Sequence, residues 1–228
     1  YYPGFAPARD DLGTELFSID GQTIRVHVMN PGKQAAVLYF GGNAEAVGYS
    51  AKQLSQALPD MTLYLVNYRG YGGSTGEPGE QVLYEDALHI HDAIRPRHGS
   101  IAVIGRSLGS GIATWLAVKR DIDRLVLVTP FDSLAGIAKA AFPLYPAGLL
   151  LRERYASAER APRIDAKTLI LVAGDDRIVP AESSRRLAEA FAPGSARVVT
   201  IAGAGHNSLS EREEYYRQLS DFLILGSE

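Results

Sequence analysis

The strongest constraint on the fold of this chain is a regular alternation of short apolar runs with segments of helical periodicity. Most of the runs are rich in Val, Ile and Leu throughout, which is typical of strands covered on both faces. They are residues 36–40, 63–68, 101–104, 125–128, 169–172 and 198–201. Between them, two sets of apolar residues have the spacing of a helix face: Val47, Ala51, Leu54 and Leu58, and Leu83, Ala87, Ile90 and Ile94. This order predicts an α/β fold with βαβ crossovers, a mainly parallel central sheet and helices on both faces.

Each end of the chain carries its own local signal. Asp20-Gly21 is a turn-forming pair between the β-like stretches TELFSI and TIRVHV. It predicts an N-terminal antiparallel hairpin at the edge of the parallel sheet. Near the other end, Ser210 and Glu213 have the spacing of a capping box, which predicts that the last helix begins there.

Length and composition fit one globular domain covering residues 1–228, because 46% of the 228 residues are hydrophobic and 21% are charged. The net charge is −3 and the two signs are mixed along the chain, so no basic stripe points to a nucleic-acid partner. The absence of cysteine excludes disulfides, thiolate metal sites and a cysteine nucleophile. The sequence predicts neither a metal nor a cofactor.

The sequence has no uninterrupted apolar segment of membrane-spanning length. The longest candidate, residues 138–151, contains Pro143 and Pro146. The chain begins YYPGFAP without methionine. We therefore expect an upstream signal peptide or membrane anchor, and the compartment stays open.

Residues 131–164 interrupt the strand–helix rhythm. This segment is too long for a simple connection and too apolar for a linker, so it predicts a short helical lid inserted over the strand ends. Its apolar cluster consists of Phe142, Leu144, Tyr145, Leu149, Leu150 and Leu151. We expect Phe142, Leu144, Tyr145 and Leu149 to line a substrate site. The alternative is that the cluster packs into the core.

Residues 101–113, IAVIGRSLGSGIA, run from an apolar strand directly into a helical segment, with Ser107 at the junction. Gly105 and Gly109 complete the pattern G-x-S-x-G of a nucleophile elbow. So sharp a turn needs small residues two positions to either side, and it holds the serine hydroxyl at the positive end of a helix. Ser107 is therefore the candidate nucleophile. The alternative is a glycine-rich turn with an incidental serine.

A serine nucleophile needs a base and an orienting acid. His206 lies in the glycine-flanked stretch GAGHNSL after the last apolar run, where catalytic groups gather in parallel sheets. The acid lies in AGDDRIVP after the preceding run, and the order Ser, Asp, His is that of α/β-hydrolases. Asp175 and Asp176 are adjacent, so we expect only one of them to face His206. Asp132, after another strand, is the competing acid.

The loop YFGGNAEAV follows the first parallel strand, and its two glycines allow the backbone to approach a substrate closely. The N–H groups of Asn43 and of Leu108, the residue after the nucleophile, are the candidate donors of an oxyanion hole. The alternative is an ordinary strand–helix turn in which Asn43 is a helix N-cap.

With these features in order, the chain resembles an α/β-hydrolase over nearly its whole length. It looks most like the Bem46 group, which is related to the serine aminopeptidase-type hydrolases. The most specific stretch is NYRGYGGSTGEP, residues 67–78, which is similar to the Tyr-Arg-Gly-Tyr-Gly loop of that group. Counted back from Val179-Pro180, the resemblance implies that Asp176 is the catalytic aspartate. Gly41 stands where the group usually has a histidine, which raises the question of what anchors the oxyanion loop.

The leading hypothesis is a serine hydrolase that cleaves a small-molecule ester, thioester or other acyl substrate through an acyl-enzyme. A serine peptidase that recognises a free amino terminus would need converging carboxylates in the lid, where Glu153 and Glu159 are the ones offered. A non-catalytic binding module is the third hypothesis. The intact Ser, Asp and His in family order argue against it.

Overall fold

The computed structural model describes residues 1–141 and 153–224 of the chain. Within these residues, eight strands form one sheet in the order β1-β2-β4-β3-β5-β6-β7-β8. The strands are β1 (Thr14–Ile19), β2 (Gln22–Met29), β3 (Ala35–Phe40), β4 (Met61–Val66), β5 (Ser100–Arg106), β6 (Arg124–Val128), β7 (Lys167–Ala173) and β8 (Ala196–Ile201). Strand β2 pairs antiparallel with β1 and β4, and the other neighbours are parallel. The predicted mainly parallel sheet is confirmed.

The N-terminal hairpin is also confirmed. Asp20 and Gly21 connect β1 to β2 with φ of +49° and +74°, the left-handed backbone that a two-residue hairpin turn of type I′ requires. The hairpin extends the parallel sheet at one edge, because β2 pairs with β4.

Helices cover both faces of the sheet, as the sequence predicts. They are α1 (Ala51–Ala57), α2 (Glu80–Ile94), α3 (Leu108–Lys119), α4 (Leu134–Ala141), α5 (Ser157–Arg160), α6 (Ala181–Ala190) and α7 (Glu213–Leu223). Buried side chains of α1 and α7 pack with one face of the sheet, and those of α2, α3 and α6 pack with the other. The apolar runs of β3 to β7 are therefore buried on both sides. The run 198–201 differs, because β8 lies at the edge of the sheet and Val198 is exposed.

Two helices begin later than the sequence indicates. Val47 lies in a separate 3₁₀ turn, Val47–Tyr49, that precedes α1. Likewise Ser210 lies in the 3₁₀ turn Leu209–Glu211, and α7 begins at Glu213 with Arg212 as its N-cap. The expected capping box is wrong because burial of Leu209 in the core gives the residues before α7 a turn of their own.

Backbone hydrogen bonds join the two described ends of the insertion, residues 131–164. The N–H of Leu134 donates to the carbonyl of Arg154 at 2.9 Å, and that of Ala158 donates to the carbonyl of Asp132 at 3.0 Å. The expected substrate-lining residues Phe142, Leu144, Tyr145 and Leu149 lie outside the described residues, as do Leu150 and Leu151. In the two described ranges, no helix is long and apolar enough to cross a membrane.

Candidate active site

Ser107 occupies the sharp turn between β5 and α3. Its backbone has φ of +48° and ψ of −113°, a conformation that L-residues rarely adopt. A Cβ added to Gly105 would lie 2.5 Å from the carbonyl oxygen of Gly109, and one added to Gly109 would overlap the carbonyl of Phe40. The two flanking glycines are therefore required by the close approach of α3 to the ends of β5 and β3.

The structure brings Ser107, His206 and Asp176 into one hydrogen-bonded line. The hydroxyl of Ser107 lies 3.0 Å from Nε2 of His206, and Nδ1 of the same ring lies 2.7 Å from Oδ2 of Asp176. Because an ionised carboxylate only accepts hydrogen bonds, Nδ1 carries the proton and Nε2 is left to accept one from the serine. Both side chains behind the serine are buried, with exposures of 8% for His206 and 3% for Asp176.

Asp176 is held in place by its own loop. Its Oδ1 accepts the N–H groups of Ile178 and Val179, each at 2.8 Å. Burial raises the pKa of this carboxyl, but the hydrogen bonds from His206 and from the two amides outweigh burial and hold the pKa below its usual range. The carboxylate therefore stays charged and fixed in orientation behind the imidazole.

The other two candidate acids lie differently. Asp175 is exposed, and its N–H donates to the carbonyl of Ala204. Asp132 lies after β6, where its carboxylate accepts from the Ser183 hydroxyl at 2.6 Å and from Nε of Arg186 at 2.8 Å, both on α6. Of the three, Asp176 is the one that the geometry joins to His206.

A cleft of about 440 Å³ opens above the serine. Its lining includes Ser107, His206 and the expected oxyanion loop, represented by Gly42 and Asn43. The N–H of Leu108 is the first amide of α3, where a helix leaves its amides without partners inside the helix. The alternative role of Asn43 as a helix N-cap does not hold, because Ser50 is the residue at the N-cap of α1.

The oxyanion loop is anchored by two tyrosines of the segment 67–78. The hydroxyl of Tyr68 donates to the carbonyl of Gly41 at 2.6 Å, and that of Tyr71 donates to Oδ1 of Asn43 at 2.9 Å. A Cβ at Gly41 would lie 2.6 Å from Cγ1 of Val47, so a side chain there has no room. The sequence pattern does not indicate these two hydrogen bonds. The feature that could have indicated them is a glycine-rich loop with two tyrosines that follows β4, because β4 lies beside β3 in the sheet.

Residues 35–152 match the family described as alpha/beta hydrolase fold, which is more than half of the chain. The chain belongs to the alpha/beta hydrolase family.

This alpha/beta hydrolase is similar in sequence to two curated proteins and in structure to a third. An uncharacterized protein of Mycobacterium tuberculosis is 40% identical over 182 residues, which are 77% of this chain and 64% of that protein. The lysophosphatidylserine lipase ABHD12 of Macaca fascicularis is 32% identical over 187 residues, 70% of this chain and 46% of the lipase. The chain thus spans less than two thirds of the length of these relatives. The structure of Est1E from Butyrivibrio proteoclasticus superposes with a TM-score of 0.77 at 16% identity, covering 93% of this chain and 98% of that one.

A buried ion pair fixes segment 67–78 to the body of the protein. Nε and Nη2 of Arg69 donate to the two carboxylate oxygens of Asp86 on α2, at 2.9 and 2.7 Å. Both side chains are less than a tenth exposed. This bidentate clamp holds the loop that carries Tyr68 and Tyr71, and through them it supports the oxyanion loop.

Apolar side chains stand at the mouth of the cleft. Tyr2, from the N-terminal segment, is 59% exposed, and Ile178, from the loop after β7, is 54% exposed. Large apolar side chains at the edge of a cleft provide surface for an apolar part of a ligand. In the described residues, no group of three His, Cys, Asp or Glu side chains could hold a metal ion.

Proposed function

We propose that this alpha/beta hydrolase cleaves carboxylic ester or thioester bonds through an acyl-enzyme intermediate. In this proposal Ser107 is the nucleophile, His206 the general base and Asp176 the residue that orients the base. The observation that carries it is the continuous line from the Ser107 hydroxyl to Nε2 of His206 at 3.0 Å and from Nδ1 to Asp176 at 2.7 Å. An activated serine beside a base and an acid is the arrangement that acyl transfer requires.

The reaction proceeds in two halves. Nε2 of His206 takes the proton of the Ser107 hydroxyl as its oxygen attacks the substrate carbonyl, and the N–H groups of Asn43 and Leu108 stabilise the negative oxygen that forms. The imidazolium then gives its proton to the departing alcohol or thiol, which leaves the acyl group on Ser107. Water, deprotonated by the same ring, then attacks the acyl-enzyme. The acid is released as the bond to the Ser107 oxygen breaks, and the imidazolium returns its proton to that oxygen.

The cleft supports an ester or thioester with an apolar part. Tyr2 and Ile178 offer apolar surface at its mouth. The relatives named lysophosphatidylserine lipase are by name enzymes of lipids, whose acyl groups are held by ester bonds. We propose that Phe142, Leu144, Tyr145 and Leu149 extend the apolar surface along the acyl group.

The described residues favour this proposal over a peptidase that reads a free amino terminus. Glu153 accepts the N–H of Glu80 at the start of α2, and Glu159 is an exposed partner of Arg154. The two carboxylates therefore have other partners and do not line the cleft with Ser107. Within the family, the loop of Tyr68, Arg69 and Tyr71 supports a place in the Bem46-like group.

A fluorophosphonate probe tests the proposal, because the probe labels a serine that a neighbouring base has activated. We expect labelling and p-nitrophenyl butyrate hydrolysis by the wild type, and loss of both in a folded Ser107→Ala variant. Ser195→Ala is the matched control: Ser195 lies before β8, and its carbonyl accepts from Thr168 at the opposite end of the sheet. Activity of Ser107→Ala within about tenfold of wild type, a barrier change of about 1.4 kcal/mol, would refute the assignment.

A substrate panel then separates the bond classes. A p-nitrophenyl ester, an acyl thioester and an aminoacyl p-nitroanilide are compared by kcat/KM. We expect the first two to be cleaved and the anilide to be cleaved poorly, because the described cleft offers no carboxylate pair for a free amine. Preferential cleavage of the anilide would favour the peptidase.

A further inference from the structure

Glu45 lies at the base of the oxyanion loop with a full set of hydrogen-bond donors. Its Oε1 accepts from the hydroxyls of Tyr39 and Ser50, at 2.7 and 3.1 Å. Its Oε2 accepts the N–H of Gly42 at 2.7 Å and lies 3.7 Å from Nη1 of Arg106. The proposed mechanism gives this largely buried carboxylate no role. Since the Gly42 amide is already engaged, Asn43 is left as the donor that this loop can offer to an oxyanion.

Arg106 connects Glu45 to the loop that carries the base. Its Nη2 donates to the carbonyls of His206 at 3.2 Å and of Asn207 at 3.4 Å, while Nη1 faces Glu45. Arg106 also immediately precedes Ser107 in the chain. The planar guanidinium of this last residue of β5 thus contacts two other segments, after β3 and after β8, that meet at the cleft. A lysine has a single ammonium and cannot span the same partners.

We propose that Glu45 and Arg106 are positioning residues that hold the oxyanion loop and the His206 loop in register with Ser107, and that Arg106 cancels the negative charge of Glu45 beside the oxyanion site. This inference rests on the proposed function, because it assigns a supporting part to the same reaction. The pair acts through its contacts with Gly42 and with the His206 loop, beside Ser107.

The charge balance follows from how close the carboxylate lies to the reacting serine. A Cβ placed on Gly42 would lie 3.5 Å from Oε2 of Glu45 and 3.6 Å from Cβ of Ser107, so Gly42 separates the two side chains. An uncompensated carboxylate at that position would repel the oxyanion as it forms. With Arg106 in place, the pair keeps the anchor on the Gly42 amide and presents little net charge.

Four variants test the inference: Arg106→Met, Arg106→Lys, Glu45→Gln and the double variant Glu45→Gln/Arg106→Met. Steady-state kinetics with p-nitrophenyl butyrate separate kcat from KM. We expect Arg106→Met to lower kcat about 30- to 100-fold with KM within about threefold, somewhat less than the loss of a whole oxyanion donor. We expect Arg106→Lys to retain more activity than Arg106→Met, because it keeps the charge. The double variant should recover kcat about fivefold over Arg106→Met, because the uncompensated carboxylate is gone.

Arg120→Met is the matched control, since Arg120 makes a bidentate pair with Asp92 at the surface. We expect wild-type kcat from it. The inference is overturned if Arg106→Met keeps kcat within about threefold of wild type, or if neither the lysine nor the second substitution restores any activity. If Arg106→Met does not fold, Arg106→Lys is measured instead, provided that its melting temperature equals that of wild type. A loss of kcat of about tenfold then supports the inference, and a wild-type kcat refutes it.

Failure of the inference and failure of the proposed function give different results. A wild type that neither hydrolyses esters nor reacts with a fluorophosphonate overturns both. A wild type that does both, together with an active Arg106→Met variant, overturns the positioning role alone.

Discussion

Asp132 and Asp176 occupy equivalent places in the sheet and have different surroundings. Each follows a buried parallel strand, β6 for Asp132 and β7 for Asp176, and each accepts two or more hydrogen bonds. For both, burial raises the pKa of the carboxyl and the hydrogen bonds outweigh it, so both pKa values lie below the usual range. Position, residue type and ionisation are therefore shared.

The two aspartates differ in their hydrogen-bond partners. Asp132 binds Ser183 and Arg186, which fixes the first two turns of α6 to the segment after β6. Asp176 binds Nδ1 of His206, whose other nitrogen faces Ser107 in the cleft. A carboxylate at the end of a parallel strand is thus a marker of a functional site only when its partner itself reaches the cleft.

Replacing each aspartate by asparagine tests this contrast most strongly. We expect Asp176→Asn to lower kcat/KM for p-nitrophenyl butyrate by about 10⁴-fold, because an amide can donate to Nδ1 and so stabilise the wrong tautomer of His206. Asp132→Asn should stay within about threefold of wild type. Circular dichroism confirms that both variants are folded. If Asp132→Asn is the more damaging change, the acid lies after β6 and the assignment of Asp176 is wrong.

Asp132→Asn should change the stability of the protein although it leaves the activity nearly unchanged. We expect Asp132→Asn to lower the free energy of unfolding at pH 7 by about 1–2 kcal/mol, because it removes the charged acceptor of Arg186 and Ser183. The folded pKa of Asp132 is lowered from 3.8, so its contribution is present above that pH and is lost as the pH falls through the folded value. Urea titrations from pH 7 downward should show the gap to wild type closing below 3.8. A gap that persists in acid would mean that ionisation of Asp132 is not its source.

Two buried tyrosines show the same contrast between a side chain whose partner lines the cleft and one whose partner does not. Tyr71 donates to Asn43 at the cleft, whereas Tyr64 lies 2.9 Å from Nε2 of His98, away from it. We expect Tyr71→Phe to lower kcat about three- to tenfold, since the oxyanion loop loses one of its anchors, and Tyr64→Phe to leave kcat unchanged. Steady-state kinetics on both variants checks this. Equal kcat for the two would mean that Tyr71 does not position the loop.

The fold was predictable where the structure leaves a direct mark in the local sequence. Apolar runs such as 125–128 identified the strands, and Asp20-Gly21 identified the hairpin, because burial on two faces and a left-handed turn leave direct marks in composition. The helix starts were less predictable. Ser210 had the right spacing for a cap, but burial of Leu209 took precedence over the local signal.

The three residues of the candidate triad were predictable from the sequence, but the side chains that hold the oxyanion loop in place were not. Ser107, Asp176 and His206 were indicated by strand ends and by family order, and their catalytic roles stay predictions. The hydrogen bonds of Tyr68 and Tyr71 to the oxyanion loop join residues about 27 positions apart. Contacts of that range follow no periodicity, so one sequence alone does not reveal them.

The smallest expected effect concerns the partner of Asp132 rather than the acid itself. Arg186 is 45% exposed, so its ion pair with Asp132 is screened by solvent. We expect Arg186→Gln to lower the free energy of unfolding by less than about 1 kcal/mol, because the Ser183 hydroxyl and the Ser133 amide still bind the carboxylate. The kcat of Arg186→Gln should equal that of wild type. Chemical denaturation and steady-state kinetics on the same preparation check both expectations. If Arg186→Gln loses activity without losing stability, the contacts of Asp132 support the active site, and the contrast with Asp176 does not hold.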